Sequence, residues 1–312
     1  MTAQLGLGMA ALGRPGYITL GHGHDVGMDH SPEVMERSSH LVLDAAWSGG
    51  IRWFDAARSY GCAEAFLASW LRRRQIAPSE VTVSSKWGYR YTADWQVVAR
   101  HHEVKDHSLA ALERQIAESQ ALLGPYLSLY QVHSATLESG ILDDGRVLAR
   151  LGAIRDGGLP VGLTLSGPRQ RETLERALEI LVDGRPLWSS VQATWNLFER
   201  SVEPALRLAK QAGLRVLVKE ALANGRLATR AAPALVRDEA ARRGVGVDAV
   251  ALAAALAQPF VDVVLSGAVT VEQLTENLRA MAVSGVELAD ATASLIEPPA
   301  QYWAERAKLP WN

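Results

Sequence analysis

The sequence predicts an α/β fold of the (β/α)8 TIM barrel class. Three observations carry this reading. Eight short apolar runs alternate with amphipathic stretches of helical period along 312 residues, as parallel strands covered on both faces do. Three successive runs end on a residue of chemical use, which is where a parallel barrel places its chemistry. The rival doubly wound sheet needs a glycine-rich turn after its first strand, and Gly6-Leu7-Gly8-Met9-Ala10-Ala11 lacks the third glycine.

The elements follow in order. The first run is Leu5–Met9, and a helix near Val34–Ser48 closes at Gly49-Gly50. Ile51–Asp55 ends on an acid, and the turn after it presents Tyr60 before a helix over Ala63–Arg73. Val81–Lys86 stops on a lysine and precedes a helix over Ser108–Leu123. Ser128–His133 stops on a histidine, and the next helix, Asp144–Asp156, closes at Gly157-Gly158. Val161–Ser166, Ser190–Thr194, Arg215–Lys219 and Val261–Ser266 complete the strands. Helices are expected over Arg169–Val182, Val202–Gln211, Ala234–Arg243 and Val271–Met281, with an extra one at Asp248–Ala257. The tail from Pro298 reads as irregular. No low-complexity linker divides the chain, so a single domain over residues 1–312 is expected.

Composition narrows the function. Lys plus Arg number 32 against 34 Asp plus Glu, with no basic run or aromatic-basic stripe, which argues against nucleic acid. No apolar run approaches the ~20 residues of a membrane span, and no leader is recognisable. The single cysteine, Cys62, fits a reducing compartment. A cytoplasmic protein is expected.

Asp55, Tyr60, Lys86 and His133 thus leave three successive strands. A free phenol, with a pKa of about 10, is a poor acid near neutrality. A buried ammonium beside it favours the phenolate, and Lys86 is the candidate, with Asp55 as its counter-ion. His133 can donate to a carbonyl oxygen, and Tyr60 can deliver or accept the proton. Taken singly, each has an ordinary structural reading: Asp55 as a helix cap, Tyr60 as a packing aromatic, Lys86 as a surface lysine, His133 as a hydrogen-bonded core histidine. None of the four can donate a hydride, so a redox role requires a cofactor.

At these residues the chain resembles the aldo-keto reductases. The stretch from Gly50 through Tyr60-Gly61-Cys62-Ala63-Glu64 looks like that family's first signature. Ser85-Lys86-Trp87-Gly88 resembles its lysine signature, and Leu129-Tyr130-Gln131-Val132-His133 its histidine signature. Val191–Leu197 is similar to its sixth-strand segment. The resemblance implies NAD(P)H, with Gln192 and Ser166 at the nicotinamide carboxamide and Glu276 and Asn277 at the adenine. Gly167 replaces the asparagine that the family pairs with the serine, and Lys219 replaces an aromatic that stacks on the nicotinamide. From the residues themselves, Ser266, Gly267 and Ala268 precede a helix whose amides could meet a phosphate. Gln273 lies on the same helical face as the adenosine pair. No cation stands at Ala268, Val269, Thr270 or Gln273, which favours NAD(H) over the 2′-phosphorylated form.

His22-Gly23-His24-Asp25, with Asp29 and His30, carries zinc-type ligands but no fixed spacing. It is expected to be a mobile loop without metal. Trp87, Tyr89, Tyr91 and Trp95, with His101, His102 and His107, are expected around a pocket rim. The sequence therefore predicts an oxidoreductase moving hydride between a nicotinamide cofactor and a small carbonyl or alcohol. A sugar dehydrogenase working oxidatively, a non-catalytic cofactor-binding regulatory subunit, and a hydrolase on the same fold are the alternatives.

Overall fold

A computed structural model of the chain describes residues 3–25, 27–228, 232–285 and 287–312. Eight strands, β1 (Gln4–Gly8), β2 (Trp53–Asp55), β3 (Thr82–Trp87), β4 (Leu127–Ala135), β5 (Val161–Leu165), β6 (Ser190–Thr194), β7 (Arg215–Lys219) and β8 (Val263–Ser266), form the sheet. It closes on itself, β8 pairing with β1, and every neighbouring pair is parallel. Parallel neighbours need crossovers. These come from α1 (Pro32–Ser48), α2 (Ala63–Arg73), α3 (Leu109–Leu123), α4 (Gly145–Asp156), α5 (Gln170–Leu178), α6 (Glu203–Gln211), α7 (Ala234–Arg243) with α8 (Val247–Leu256), and α9 (Val271–Leu278) after β8. The fold is the (β/α)8 barrel.

Side chains in a strand alternate between faces, and this period of two builds the barrel interior. Trp53, Leu129, Leu217, Val263 and Leu265 form a small apolar cluster apart from the main core. Arg215 covers its lower end, with the guanidinium carbon 5.2 Å from the Trp53 ring centre. Two residues further along the same strands stand Asp55, Gln131 and Lys219. The same inward face that is apolar below is polar above. The outward faces join the helices in a continuous core that includes Phe54, Trp70, Leu163 and Val216.

Two sequence expectations need correction. The helix expected over Arg169–Val182 ends at Leu178, and the chain then forms a hairpin of Leu181–Val182 on Arg185–Pro186. Its two-residue loop, Asp183-Gly184, has φ of 53° and 72°. Asp-Gly is the dipeptide that favours such left-handed hairpin turns. The tail from Pro298 is not irregular: α10 (Pro299–Ala307) begins with a proline in its first turn. Tyr302 and Trp303 seat it on the core. A further hairpin, Tyr89–Tyr91 on Glu103–Lys105, stands beyond β3. Among the described residues no helix is long and apolar enough to cross a membrane.

Candidate active site

A cavity of about 400 Å³ opens at the C-terminal ends of the strands. Asp55 is the last residue of β2 and Lys86 the penultimate residue of β3, and both are buried. Lys86 Nζ donates to Asp55 Oδ2 at 2.5 Å and to the Ala56 carbonyl at 2.8 Å. Ser84, paired with Asp55 across the ladder, donates to Asp55 Oδ1 at 2.6 Å. Ser84 in turn accepts from Trp53 Nε1 at 3.1 Å. The carboxylate is therefore fully engaged, as a charge taken out of water must be.

Tyr60 sits above this pair, its ring centre 4.8 Å from Lys86 Nζ. Its hydroxyl lies 3.4 Å from His133 Nε2, and Ser59 Oγ lies 3.4 Å from His133 Nδ1. Both contacts are long for hydrogen bonds. His133 shares the inward parity of Leu129 and Gln131, and β4 becomes irregular around it. The register to β5 shifts between Val132 and Ala135, and Ser134 has φ of 52°. Burial first, then the Lys86, Lys219 and Arg14 charges, hold His133 well below the usual histidine range. It is neutral at pH 7 and carries one N–H.

The Tyr60 phenol behaves differently from the sequence expectation. Its pKa is raised well above 10, by burial first and then by the Asp55 carboxylate. Burial penalises the phenolate, and the Lys86 ammonium expected to favour it is paired with Asp55, whose carboxylate opposes it. Arg14 is the cation that lowers the value.

The other side of the cavity holds the residues expected to meet a cofactor. Ser166, Gln192, Lys219, Ser266, Gly267, Gln273 and Asn277 all line it. Glu276 does not: it accepts from the Gly246 amide at 2.6 Å and pairs with Arg279 at 3.1 Å. Gln192 Nε2 is buried with no partner. Gln273 donates to Asp25 Oδ2 at 2.7 Å and accepts from the Val269 amide at 2.9 Å. The Ala268 amide donates to Ser266 Oγ at 3.2 Å. Two amides ahead of α9 are therefore already satisfied by side chains, which reduces the phosphate cradle expected there. Asn277 shares a hydrogen bond of 2.8 Å with the same Ser266 hydroxyl.

Lys219 contacts Thr194 Oγ1 at 3.1 Å and Glu220 Oε1 at 3.8 Å. Glu220 is held mainly by Arg306 of α10, at 2.9–3.0 Å from Arg306 Nε. The Arg306 and Lys219 cations outweigh burial and depress its pKa to about 2. The His22–Asp25 segment is a short helix rather than a plain loop. His22 is buried, and burial pushes its pKa down to about 4. Among the described residues no group of three metal-ligating side chains forms. Of the expected rim aromatics, Trp87 is wholly buried beside His107, and Tyr89 packs its ring 5.0 Å from that of His133.

Sequence reasoning missed Arg14, Glu103, Arg306 and Trp311, which also line the cavity. Arg14 follows the first strand in Gly13-Arg14-Pro15-Gly16, so its place beyond a strand end was readable. Glu103 and Arg306 arrive from a hairpin and a late helix, and no local pattern marks them. Glu64, in the first signature, is structural. It accepts from Ser85 Oγ at 2.5 Å, Ser119 Oγ at 2.7 Å and Arg58 at 2.5 Å, tying α2 to β3 and α3.

The chain's sequence matches the model of the aldo/keto reductase family over residues 4–293. A solved aldo-keto reductase from Bacillus halodurans, in its holo form, superposes with a TM-score of 0.67 at 20% identity, covering 95% of this chain and 93% of that one. A candidate aldo-keto reductase from Pseudomonas aeruginosa gives 0.62 at 24% identity, covering 93% and 90%. These structural likenesses speak for the fold alone. No curated protein matches the chain. The family match spans nearly the whole length and includes the strand ends described above, so the chain belongs to the aldo/keto reductase family of oxidoreductases, which act on carbonyl compounds with nicotinamide cofactors.

Proposed function

We propose that this chain moves hydride between a nicotinamide cofactor and a small carbonyl or alcohol, with Tyr60 as general acid in reduction and general base in oxidation. The observation that supports this best is one arrangement: Tyr60 and His133 side by side in a cavity, over the buried Lys86–Asp55 pair. A carbonyl oxygen between Tyr60 and His133 accepts two hydrogen bonds. The neutral His133 donates its single N–H and fixes the carbonyl's direction. Tyr60 gives up its proton as negative charge develops on that oxygen. Lys86, locked by Asp55, Ala56 and Ser84, keeps the floor of the site in one geometry. Bound in reduced form, the nicotinamide supplies the hydride.

The chain fits such a cofactor. Gln192 presents a buried amide nitrogen without a partner, and Asn224 a buried carbonyl oxygen likewise, both on the cavity wall. An unmet buried polar atom is costly; a ligand carbonyl would accept from Gln192 Nε2, and a ligand hydroxyl or amide N–H would donate to Asn224 Oδ1. Ser166 and Gln192 are assigned to the carboxamide, and Gln273 and Asn277 to the adenosine end; Glu276, turned to the Gly246 amide and Arg279 outside the cavity, is not assigned there. Lys219 would lie against the bound group.

We assign the preference to NAD(H). Arg279 is turned to the Gly244 carbonyl and Glu276, and Arg226 is paired with Glu297. Asp25 and Asp248 line the cavity near Gln273 and Asn277. Two carboxylates disfavour a 2′-phosphate and suit a ribose hydroxyl. Titration of the protein with NADH and with NADPH, followed by nicotinamide fluorescence, tests both parts. Submillimolar binding with NADH the tighter is expected. Binding of neither would overturn the proposal, and tenfold tighter NADPH would overturn the preference.

A further inference from the structure

We infer that Arg14 is a positioning residue that holds and polarises the Tyr60 phenol, and that Glu103 sets how much of the Arg14 charge the phenol feels. The inference rests on Tyr60 as the proton donor. Arg14 leaves β1 in a tight turn and is only 2% exposed, yet it lines the cavity. Its guanidinium carbon is 5.1 Å from the Tyr60 ring centre. Tyr17 and Trp311 hold it from other sides at 5.2 and 4.7 Å. Nη1 donates to the Ser59 carbonyl at 3.1 Å and to Glu103 Oε2 at 2.9 Å, while Nε is buried without a partner. The turn itself is clamped to Tyr60. The Cys62 amide donates to the Gly13 carbonyl at 2.7 Å, and a Cβ at Gly13 would collide with the Tyr60 carbonyl.

Two cations therefore face this phenol, and they are not equivalent. Lys86 lies 2.5 Å from the buried carboxylate of Asp55, and that carboxylate pushes the Tyr60 phenol up, so the Lys86 charge gives the phenol no net help. Arg14 is opposed by Glu103, whose side chain is 22% exposed on the hairpin beyond β3. Water screens that carboxylate better than it screens the buried guanidinium. The other groups facing Tyr60 add little positive charge. His133 and Tyr17 are neutral at pH 7, and the cations Lys219 and Arg306 are both paired with Glu220. The directions agree: Arg14 draws the Tyr60 pKa down, while Asp55, Glu103 and Glu220 push it up.

The test is the pH dependence of 4-nitrobenzaldehyde reduction with saturating reduced cofactor. Arg14→Leu should raise the apparent pKa of the essential acid by about one pH unit, a roughly tenfold change in proton affinity. Arg14→Lys should recover part of the shift. Glu103→Gln should move the same pKa the other way, by about half a unit. Glu103 is half-buried on a hairpin, so this second variant decides the matter even where Arg14→Leu does not fold. Profiles that overlay the parent, or shifts of the same sign in both variants, would overturn the role of Arg14. Failure of the parent protein to reduce the aldehyde with either cofactor, or full turnover by Tyr60→Phe, would instead overturn the reading of Tyr60, and this inference with it.

Discussion

The two halves of the cavity differ in how their polar groups are spent. On the β2–β4 side, Asp55 accepts hydrogen bonds from the Ser84 hydroxyl and the Lys86 ammonium, and Lys86 also donates to the Ala56 carbonyl. On the β6–β8 side, Gln192 has an idle amide, Lys219 holds Glu220 only at 3.8 Å, and Gln273 rests on the exposed Asp25. The first half has its buried charges paired without a ligand, although Gln131 Oε1 lacks a partner there, while the second holds an idle donor in Gln192 that a ligand would satisfy. Preorganised charge serves a reacting centre, because nothing has to reorganise as the reaction proceeds. Unmet donors serve binding, because a ligand relieves a cost the free protein carries.

Substitutions that break the first half should therefore cost folding or turnover, and those in the second should cost affinity. The largest effect is expected for Lys86→Met, which strands Asp55 as a buried charge. Urea unfolding should show a loss of about 3–5 kcal/mol, and an unchanged midpoint would mean that water reaches the carboxylate. Next comes Tyr60→Phe, which keeps the ring and removes the hydroxyl. Turnover should fall by roughly a hundredfold or more, with the dissociation constant for reduced cofactor near that of the parent. Gln192→Leu should leave the unfolding midpoint unchanged or raised, since an unpaired amide is removed, and weaken cofactor binding by about tenfold. A loss of stability without a loss of affinity would place Gln192 with the structural half. The smallest effect is expected for Gln273→Arg. It frees Asp25 and supplies a bidentate donor, and should shift the ratio of NADPH to NADH affinity by several-fold towards NADPH. No shift in calorimetric titrations would move the ribose away from α9.

The same division explains what could be read from the sequence. Asp55, Lys86 and His133 end apolar runs, and the period of two that buries Trp53 and Leu129 carries Asp55 and His133 to the same inward face. Strand periodicity is local, so these positions were legible. β6 and β7 begin and end where the apolar runs do. The helix expected from sequence runs on through Leu181 and Val182, the first strand of the hairpin, and stops just short of the Asp183-Gly184 dipeptide that marks the turn. The pairing of Arg306 with Glu220 joins residues 86 positions apart, and Arg14 with Glu103 spans 89. No window of sequence contains either partnership. The Tyr60 pKa was misjudged for a related reason. Burial of the phenol, the Asp55 carboxylate beside it and the Arg14 cation all come from the folded cavity, and none is visible at Tyr60 in the sequence.

The mouth of the cavity is closed by segments from opposite ends of the chain. Asn312 exchanges backbone hydrogen bonds with Tyr17 at 3.1 and 3.2 Å, and its side chain accepts from the Gly23 amide at 2.9 Å. Trp311 lies against Arg14 on one side and stacks on His102 at 3.9 Å on the other. The contacts of Asn312 join residues 289 or more positions apart. Closing so long a loop is slow, because its entropy is lost before the contacts form. During synthesis the residues around Arg14 and Tyr60 leave the ribosome early, while their roof arrives after all eight strands. The shape of the pocket mouth therefore depends on contacts of high sequence separation, which are costly in loop entropy and lie outside the strand ladder that closes the barrel.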